Sequence, residues 1–410
     1  MTSPASPARP LDGIRVLDFT RVLSGPHCTR MLSDLGAEVI KVEPPEGDLT
    51  RFAFPRVGSM STYFAQQNIG KLNISLDLKQ PEAIDIIKKL AAECDVLVEN
   101  YRGGVMDKLG IGYDVLSEIN PRLIYASISG YGNTGPWKHR RAYATVVNAE
   151  TGLTGIQARA RGVFPSNDPH SHADVYTGME CAAAVLAALF QRTATNVGQY
   201  IDVSMAQTML YVNEHVQNEL FEGDVPNDQI RSFQPGDYPI LESKDGQQIV
   251  VSGHPAERGT FDMFVNAMKR PHMYDDPRFA DVASRLANLP ALQDELRAWA
   301  RELTAQEAED VMAEAGLAMG VVRTMGELAE TEWAHDRNVI VDADDRYGSS
   351  FRVPNSPWVF SGSDTSTRGI PKFRGEDNET VLTELAGLSH ADVERLTENG
   401  VLSIRLPKNN

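Results

Sequence analysis

The chain has 410 residues, 42% of them hydrophobic and 23% charged, the balance of a globular protein with room for two domains rather than of a disordered one. Its 39 basic and 56 acidic side chains leave a net charge of −17, which repels nucleic acid and anionic membrane unless one face is locally basic, and which suits an enzyme acting on small molecules. Cys28, Cys94 and Cys181 are far apart and show neither CxxC spacing nor an even disulfide framework, so a reducing cytoplasm is expected.

The opening MTSPASPARP lacks the apolar core of a signal peptide and reads as a flexible tail over residues 1–10. No apolar run is expected to reach the roughly 18 residues of a membrane span. After Leu11, GIRVLDFT, HCTRMLSDLGA and EVIKVE read as strand, amphipathic helix and strand, a βαβ unit closed by the turn residues PPEGD. KLNISLDLK predicts a strand, PEAIDIIKKLAAEC a helix opened by Pro81 at its first turn, and DVLVENY and LIYASIS two further strands. This alternation implies an α/β fold with a mostly parallel, Rossmann-like sheet. Helical patterns follow over 142–158 and 175–192, and QYIDVSMAQTMLYVNEHVQNELF predicts a strand running into a long helix. From Gly236 the texture changes: YPILESKDGQQIVVSG reads as a hairpin turning at Asp245-Gly246, with helices through residue 316. FRVPNSPWVFSG returns to extended chain, and two terminal helices follow, the second capped by Ser389 with Asp392 three residues on. The divisions expected are a large α/β domain over 11–230, a smaller α+β domain over 236–335, and a return to the large domain over 336–410.

Three stretches carry chemistry. SGYGNTGP has Gly130, Gly132 and Gly135 at GxGxxG spacing after a strand, but PWKHRRAY follows instead of an apolar helix, which argues against a nicotinamide site. A glycine loop at the carboxyl end of a parallel strand still marks ligand territory, and Lys138, His139, Arg140 and Arg141 beside it can meet phosphates or simply face water. Asp168, His170, His172 and Asp174 alternate as DxHxHxD, a pattern that suits zinc or iron on one face of a strand. Its HxHxDH continuation fails at Val175, SNDPHS is turn-like, and no second histidine cluster completes a site, so no metal is expected. Asp174 itself stands before a strongly helical run, where aspartate is a favoured N-cap. Taken alone a cap is the first reading, but the position also supports a nucleophile, because a helix N-terminus favours an ionised carboxylate and such a carboxylate attacks activated acyl carbon.

LDGIRVLDFTRVLSGPHCTRMLSDLGAEVIKVEPPEGDLTR, NISLDLK, VENYRGGVMDKLG, SISGYGNTGP, ADVYTGMECAAAVLAAL and the GEDN element at Asp377 together make the chain resemble the class III coenzyme A transferases, the CaiB/BaiF family, over nearly its whole length. The resemblance implies that Asp174 attacks a donor thioester to form an aspartyl-acyl anhydride, and that coenzyme A then returns to give an aspartyl thioester that serves a carboxylate acceptor. It implies coenzyme contacts at Val22 and Leu23, at Leu76, Asp77, Leu78 and Lys79, at Asn100, Tyr101 and Arg102, and at Lys108 and Arg141. Acyl-CoA and a carboxylic acid are then substrates, no cofactor is bound permanently, and two chains form an interlocked homodimer, each with a large and a small domain. Leu23 replaces the glutamine of formyl transferases, Ala144 an acidic residue common in the family, and the formyl transferases' glycine-rich loop has no counterpart, which speaks against formyl–oxalyl exchange. An α-methylacyl-CoA racemase is the alternative within the family, weakened because Tyr143 and Ala144 stand where racemases carry histidine and aspartate as an acid/base pair. A non-catalytic acyl-CoA-binding protein is the alternative outside enzymes.

Overall fold

Strands covered on both faces read as continuous apolar runs rather than alternating ones. In the computed structural model, which describes residues 8–214, 216–221 and 237–406, the sheet strands are β1 (Arg15–Asp18), β2 (Glu38–Glu43), β3 (Leu72–Ser75), β4 (Val96–Glu99), β5 (Ile124–Ser129) and β6 (Tyr200–Ser204), the first five nearly continuous in burial and the last half exposed and alternating. They form one parallel sheet in the order β3-β2-β1-β4-β5-β6. This is the doubly wound order, in which the winding reverses between β1 and β4 and leaves a crevice beyond the carboxyl ends of those strands.

Each face of the sheet has its own core. Leu17, Ile40, Ile74, Leu97 and Tyr125 face the helix Pro81–Ala92 and the two terminal helices. Val16, Val39, Val96, Ile124 and Ala126 face the helices Ser24–Asp34 and His172–Thr195. The last of these is 24 residues long and apolar enough to cross a bilayer by length and composition, which corrects the expectation that no run would qualify. The explanation is packing. Its alanine-rich face, with Cys181, Ala182 and Val185, is fully buried in the second core, and Gly178 brings its backbone against the helix Ser24–Asp34, where an added Cβ would lie 2.5 Å from the Ser24 carbonyl oxygen.

Pro81 occupies the first turn of its helix, and Ser389 and Asp392 form the capping box that the sequence announced. The GEDN element closes the open side of the sheet at β3. The Asn73 N–H donates to Asp377 at 2.8 Å, the Ser75 N–H to Asn378 at 2.9 Å, and the Gly375 N–H to the Asn73 side chain at 2.7 Å. An edge strand that would present free amides is thereby covered.

The described residues divide into two compact units. The first comprises residues up to Thr154, Asn167–Glu219 and residues from Glu332 on, and the second Gly155–Ser166 and Leu220–Thr331. The second unit holds the predicted hairpin, β7 (Ile240–Glu242) and β8 (Gln248–Val251), with β9 (Met319–Val321) antiparallel on the other side of β8. Phe261, Phe264, Phe279, Trp299 and Met312 fill its core among helices. Three details depart from expectation. The helix after β6 stops at Tyr211, and a separate short helix covers Val216–Leu220. Asp168 to His172 form no strand, since the long helix already begins at His172. Residues 155–166 belong with the second unit rather than the first. Residues 1–7 of the expected tail, and the divide expected between 230 and 236, lie outside the described residues. Arg9, expected in that tail, is tied to the fold, its guanidinium donating to the Asp34 carbonyl at 3.0 Å.

Gly178→Ala tests the helix contact. Alanine favours a helix interior by about 1 kcal/mol over glycine, yet here its methyl group meets a backbone carbonyl that side-chain rotation cannot relieve. Urea unfolding is expected to show a net loss of about 1–3 kcal/mol, and an unchanged or raised midpoint would contradict the close approach.

Candidate active site

β1 delivers the chain into the crevice at Asp18, and the helix Ser24–Asp34 must start only a few residues later. The turn between them forces Val22 to φ 67°, a left-handed backbone that a β-branched residue adopts only under constraint. Two constraints hold it. Asp48 accepts the Val22 N–H at 3.2 Å and is itself paired with Lys41 at 3.3 Å, both side chains being essentially inaccessible. The Asn100 side chain, just beyond β4, accepts the Arg21 N–H and donates to the Arg21 carbonyl, both at 2.8 Å. Burial pushes the Asp48 carboxyl up, but Lys41 and the N–H groups of Thr50 and Val22 reverse this and hold it below the ordinary carboxylate range. Asn100 thus ties the ends of β1 and β4 together where the winding reverses.

Asp174 lies in the first turn of its helix, whose N-cap is Ser171, so it is not the N-cap. Ser24, through its hydroxyl and N–H, and Ala144, through its N–H, favour the charged form of the Asp174 carboxylate. Ser24 is the first residue of the helix Ser24–Asp34 and Ala144 the first of the helix Ala144–Glu150, and neither helix has a side-chain cap. The starts of two other helices, where N–H groups lack an internal partner, thus act on a carboxylate that itself lies in a first helical turn. Burial nevertheless dominates and raises the Asp174 carboxyl to about 6, against which the donors from Ser24 and Ala144 pull downward. The helix starts favour the anion in the direction expected, but burial outweighs them and sets the net upward shift.

Asp174 opens onto a cavity of about 420 Å³ lined by the turns after β1, β4 and β5. Of the nucleophile and coenzyme contacts that the resemblance implies, Val22, Asn100, Tyr101, Arg102, Arg141 and Asp174 line it, as do Gly130, Lys138, Arg140 and Tyr143 from the stretches noted beside them. Leu23, the N-cap of its helix, is buried beside it. Leu76, Asp77, Leu78, Lys79 and Lys108 are not in the lining. Leu76 is wholly buried, with its backbone bridged to Leu402, and the Asp77 N–H donates to Val401, so LDLK is anchored to the C-terminal segment. Lys79 and Lys108 lie outside the lining as well, Lys108 on an exposed helix end. Sequence reasoning missed Arg21 and Ser24. The signal for Ser24 was SGP, a small polar residue opening a helix that carries proline in its first turn.

Arg21, Arg102, Lys138, Arg140 and Arg141 also line the cavity, and Asp174 is its one carboxylate among the described residues. Arg140 is committed elsewhere, to Glu150 at 2.6 Å and to the faces of Trp137 and Tyr131. Gly130 takes the place a side chain would claim, since a Cβ there would lie 2.2 Å from that of Ala142. No helix starts at the glycine motif, and no group of three or more metal-binding side chains occurs among the described residues. His172 lies 3.5 Å from Asp168 and stacks on Tyr176, while His139 lines a neighbouring cavity rather than this one.

The model of the CoA-transferase family III matches residues 11–378. The chain belongs to that family. It is 35% identical over 383 residues to the acetyl-CoA:oxalate CoA-transferase of Acetobacter aceti, covering 91% of this chain and 95% of the relative. It is 30% identical over 405 residues to the succinyl-CoA:glutarate CoA-transferase of Mus musculus, covering 96% and 90%. Among solved structures it is similar to a CaiB/BaiF family protein from Brucella suis, with a TM-score of 0.79, 29% identity, and 92% and 99% of the two chains covered. Within the CoA-transferase fold, the crevice at the β1/β4 reversal is thus the place where this chain gathers cations around a carboxylate held well above the ordinary range.

The raised carboxyl makes a prediction for stability. Its folded value of about 6 lies above the ordinary 3.8, so the folded state holds the proton more tightly than the unfolded chain does. Stability is then lost as pH rises from about 4 through 6, by at most about 3 kcal/mol, less whatever cavity water screens. Asp174→Asn lacks this loss. Its thermal stability is expected to match the parent near pH 4 and exceed it at pH 7–8, whereas a gap that closes as pH rises would show the opposite shift.

Proposed function

We propose that this CoA transferase works through Asp174 as its nucleophile. The observation that carries the reading is a mostly buried carboxylate, its charge favoured by the starts of two other helices, in the lining of a cavity rich in cations. With its pKa near 6, Asp174 is about nine-tenths ionised at pH 7 and more basic than an ordinary carboxylate, both of which favour attack. Its oxygen attacks the donor thioester carbonyl and expels coenzyme A thiolate, leaving an aspartyl-acyl anhydride. The thiolate then attacks the aspartyl carbonyl and releases the donor acid, leaving an aspartyl thioester. The acceptor carboxylate and the thiolate repeat these two steps in reverse order, and the carboxylate of Asp174 is regenerated with no net change in protons. Coenzyme A is a substrate throughout.

The cavity also bears on the acceptor. Arg21, Arg102, Lys138 and Arg141 supply more positive charge than one carboxylate consumes, which favours a small dicarboxylate whose second group stays bound while the first reacts. The relatives named for oxalate and glutarate use such acids, which supports the same reading here. Val22, Leu23 and Asn100–Arg102 are proposed to meet the coenzyme near its thioester, and Leu76–Lys79 and Lys108 its nucleotide end. A cytoplasmic homodimer is part of the proposal. A racemase needs a second acid or base across the substrate carbon, and neither His139 nor His172 lines this cavity.

The test is a pair of measurements on Asp174→Asn. The variant is expected to bind coenzyme A but to lose transfer by several orders of magnitude, since an amide does not form the anhydride. In the parent, donor acyl-CoA followed by hydroxylamine is expected to label the peptide that contains Asp174. A variant with near-parental turnover and no return to aspartate by deamidation, or a label on another peptide, would remove Asp174 from the reaction.

A further inference from the structure

A second cavity, of about 390 Å³, lies on the same unit and is lined by Arg51, Arg56, Arg374 and Arg405 with Phe52 and Phe373 and the hydroxyls of Ser59 and Ser61. Glu46 is the one carboxylate in its lining among the described residues. On a chain of net charge −17 this concentration of guanidinium groups is against the grain of the composition. Arg51 is neutralised by a 2.6 Å pair with the buried Glu43. Arg56, Arg374 and Arg405 make no ion pair among the described residues. Arg374 spends one nitrogen on Ser403 at 2.9 Å, while its Nε–H is shielded from solvent and has no acceptor among the described residues. A buried donor left unsatisfied costs about 1–3 kcal/mol, so this guanidinium has hydrogen-bonding capacity that the described residues do not use. Burial chiefly lowers the Arg374 pKa, with Arg405 and Arg51 adding to it and Glu43 and Glu46 opposing it.

We propose that this cavity is an anion-binding site for a phosphate-bearing small molecule with at least two negative charges. Guanidinium forks match phosphate oxygens in pairs, and several converging arginines select a multiply charged group over a monocarboxylate. The exposed ring of Phe52 gives the rim an apolar face on which a base can rest. The cavity shares no lining residue with the one that holds Asp174. The two adjoin at the loop around Gly47, whose carbonyl accepts Arg21 at 3.4 Å and whose other side faces Arg51 and Arg374. The inference does not rest on the role of Asp174.

Calorimetric titration of the full chain, saturated with coenzyme A and held at fixed ionic strength, tests it with inorganic pyrophosphate and with ADP. One equivalent of pyrophosphate is expected to bind to the parent and equally to Asp174→Asn. Arg405→Gln, a substitution at an exposed side chain that leaves the fold intact, is expected to weaken binding at least threefold, and Arg374→Gln with Arg405→Gln at least tenfold. ADP binding more tightly than pyrophosphate assigns a nucleotide, and equal affinities assign the phosphates alone. Absence of binding by either probe in the presence of coenzyme A, or binding that Arg405→Gln leaves unchanged, would overturn the site.

Discussion

The buried pair of Lys41 and Asp48 is the constraint on which the crevice depends. Two inaccessible charges are expensive to place in a protein interior and stay ionised only with good geometry and further hydrogen bonds. Here Asp48 accepts from Val22 and Thr50, its own N–H donates to Glu43, and Lys41 also donates to the Thr20 carbonyl at 2.7 Å. These contacts tie together the two turns that follow β1 and β2. The pair therefore converts electrostatic strength into the shape of a backbone, holding Val22 in a conformation that costs of order 1–3 kcal/mol. A second buried pair, Lys71 with Asp18 at 3.1 Å, fixes the end of β1 from the other direction through Thr29 at 2.7 Å.

Once that turn is set, the position of Ser24 follows, and with it the donors to Asp174. Gly178 serves the same end from the opposite helix, because only a residue without a side chain lets the two helices approach until the Ser24 backbone lies beside the first turn that carries Asp174. The site is thus assembled from backbone ends rather than from a set of dedicated polar side chains. This explains why Ala144 can occupy a lining element: what Asp174 uses there is the N–H, which any residue but proline supplies.

The sheet was legible because most of its strands are nearly continuous apolar runs separated by turn residues, and the Pro81 and Ser389 helix starts were legible because they use residues with a local mechanism. The helix after β6 was overextended from YVNEHVQNELF, whose apolar spacing continues past the point where the helix ends at Tyr211. Asp174 could be singled out from its helical context, but whether it capped, coordinated or attacked rested on the family resemblance, since a single carboxylate before a helix is compatible with all three. The convergence of Ser24 and Ala144 on it joins residues far apart in the chain and has no local pattern. The arginine-lined cavity was hidden for the same reason: Arg51, Arg374 and Arg405 come together only because GEDN and the C-terminal segment return to β3.

The choice of donors also decides what sort of carboxylate Asp174 is. A cation in direct contact would lower its pKa by about one to three units and weaken it as a nucleophile in the same measure. Among the causes of its shift there is burial and there are hydrogen bonds from Ser24 and Ala144, but no lysine or arginine. The cations of the cavity instead belong to the turns after β1, β4 and β5, where they meet whatever is bound rather than the carboxylate itself. The neutral groups of Ser24 and Ala144 restrain the desolvation shift without neutralising the anion, so that Asp174 is mostly ionised near neutral pH, as the proposed nucleophile needs to be. On the proposed reading, positive charge placed on the substrate side has a second consequence: it would favour an acceptor that brings more negative charge than the reaction uses, which is the property separating a dicarboxylate from a simple fatty acid.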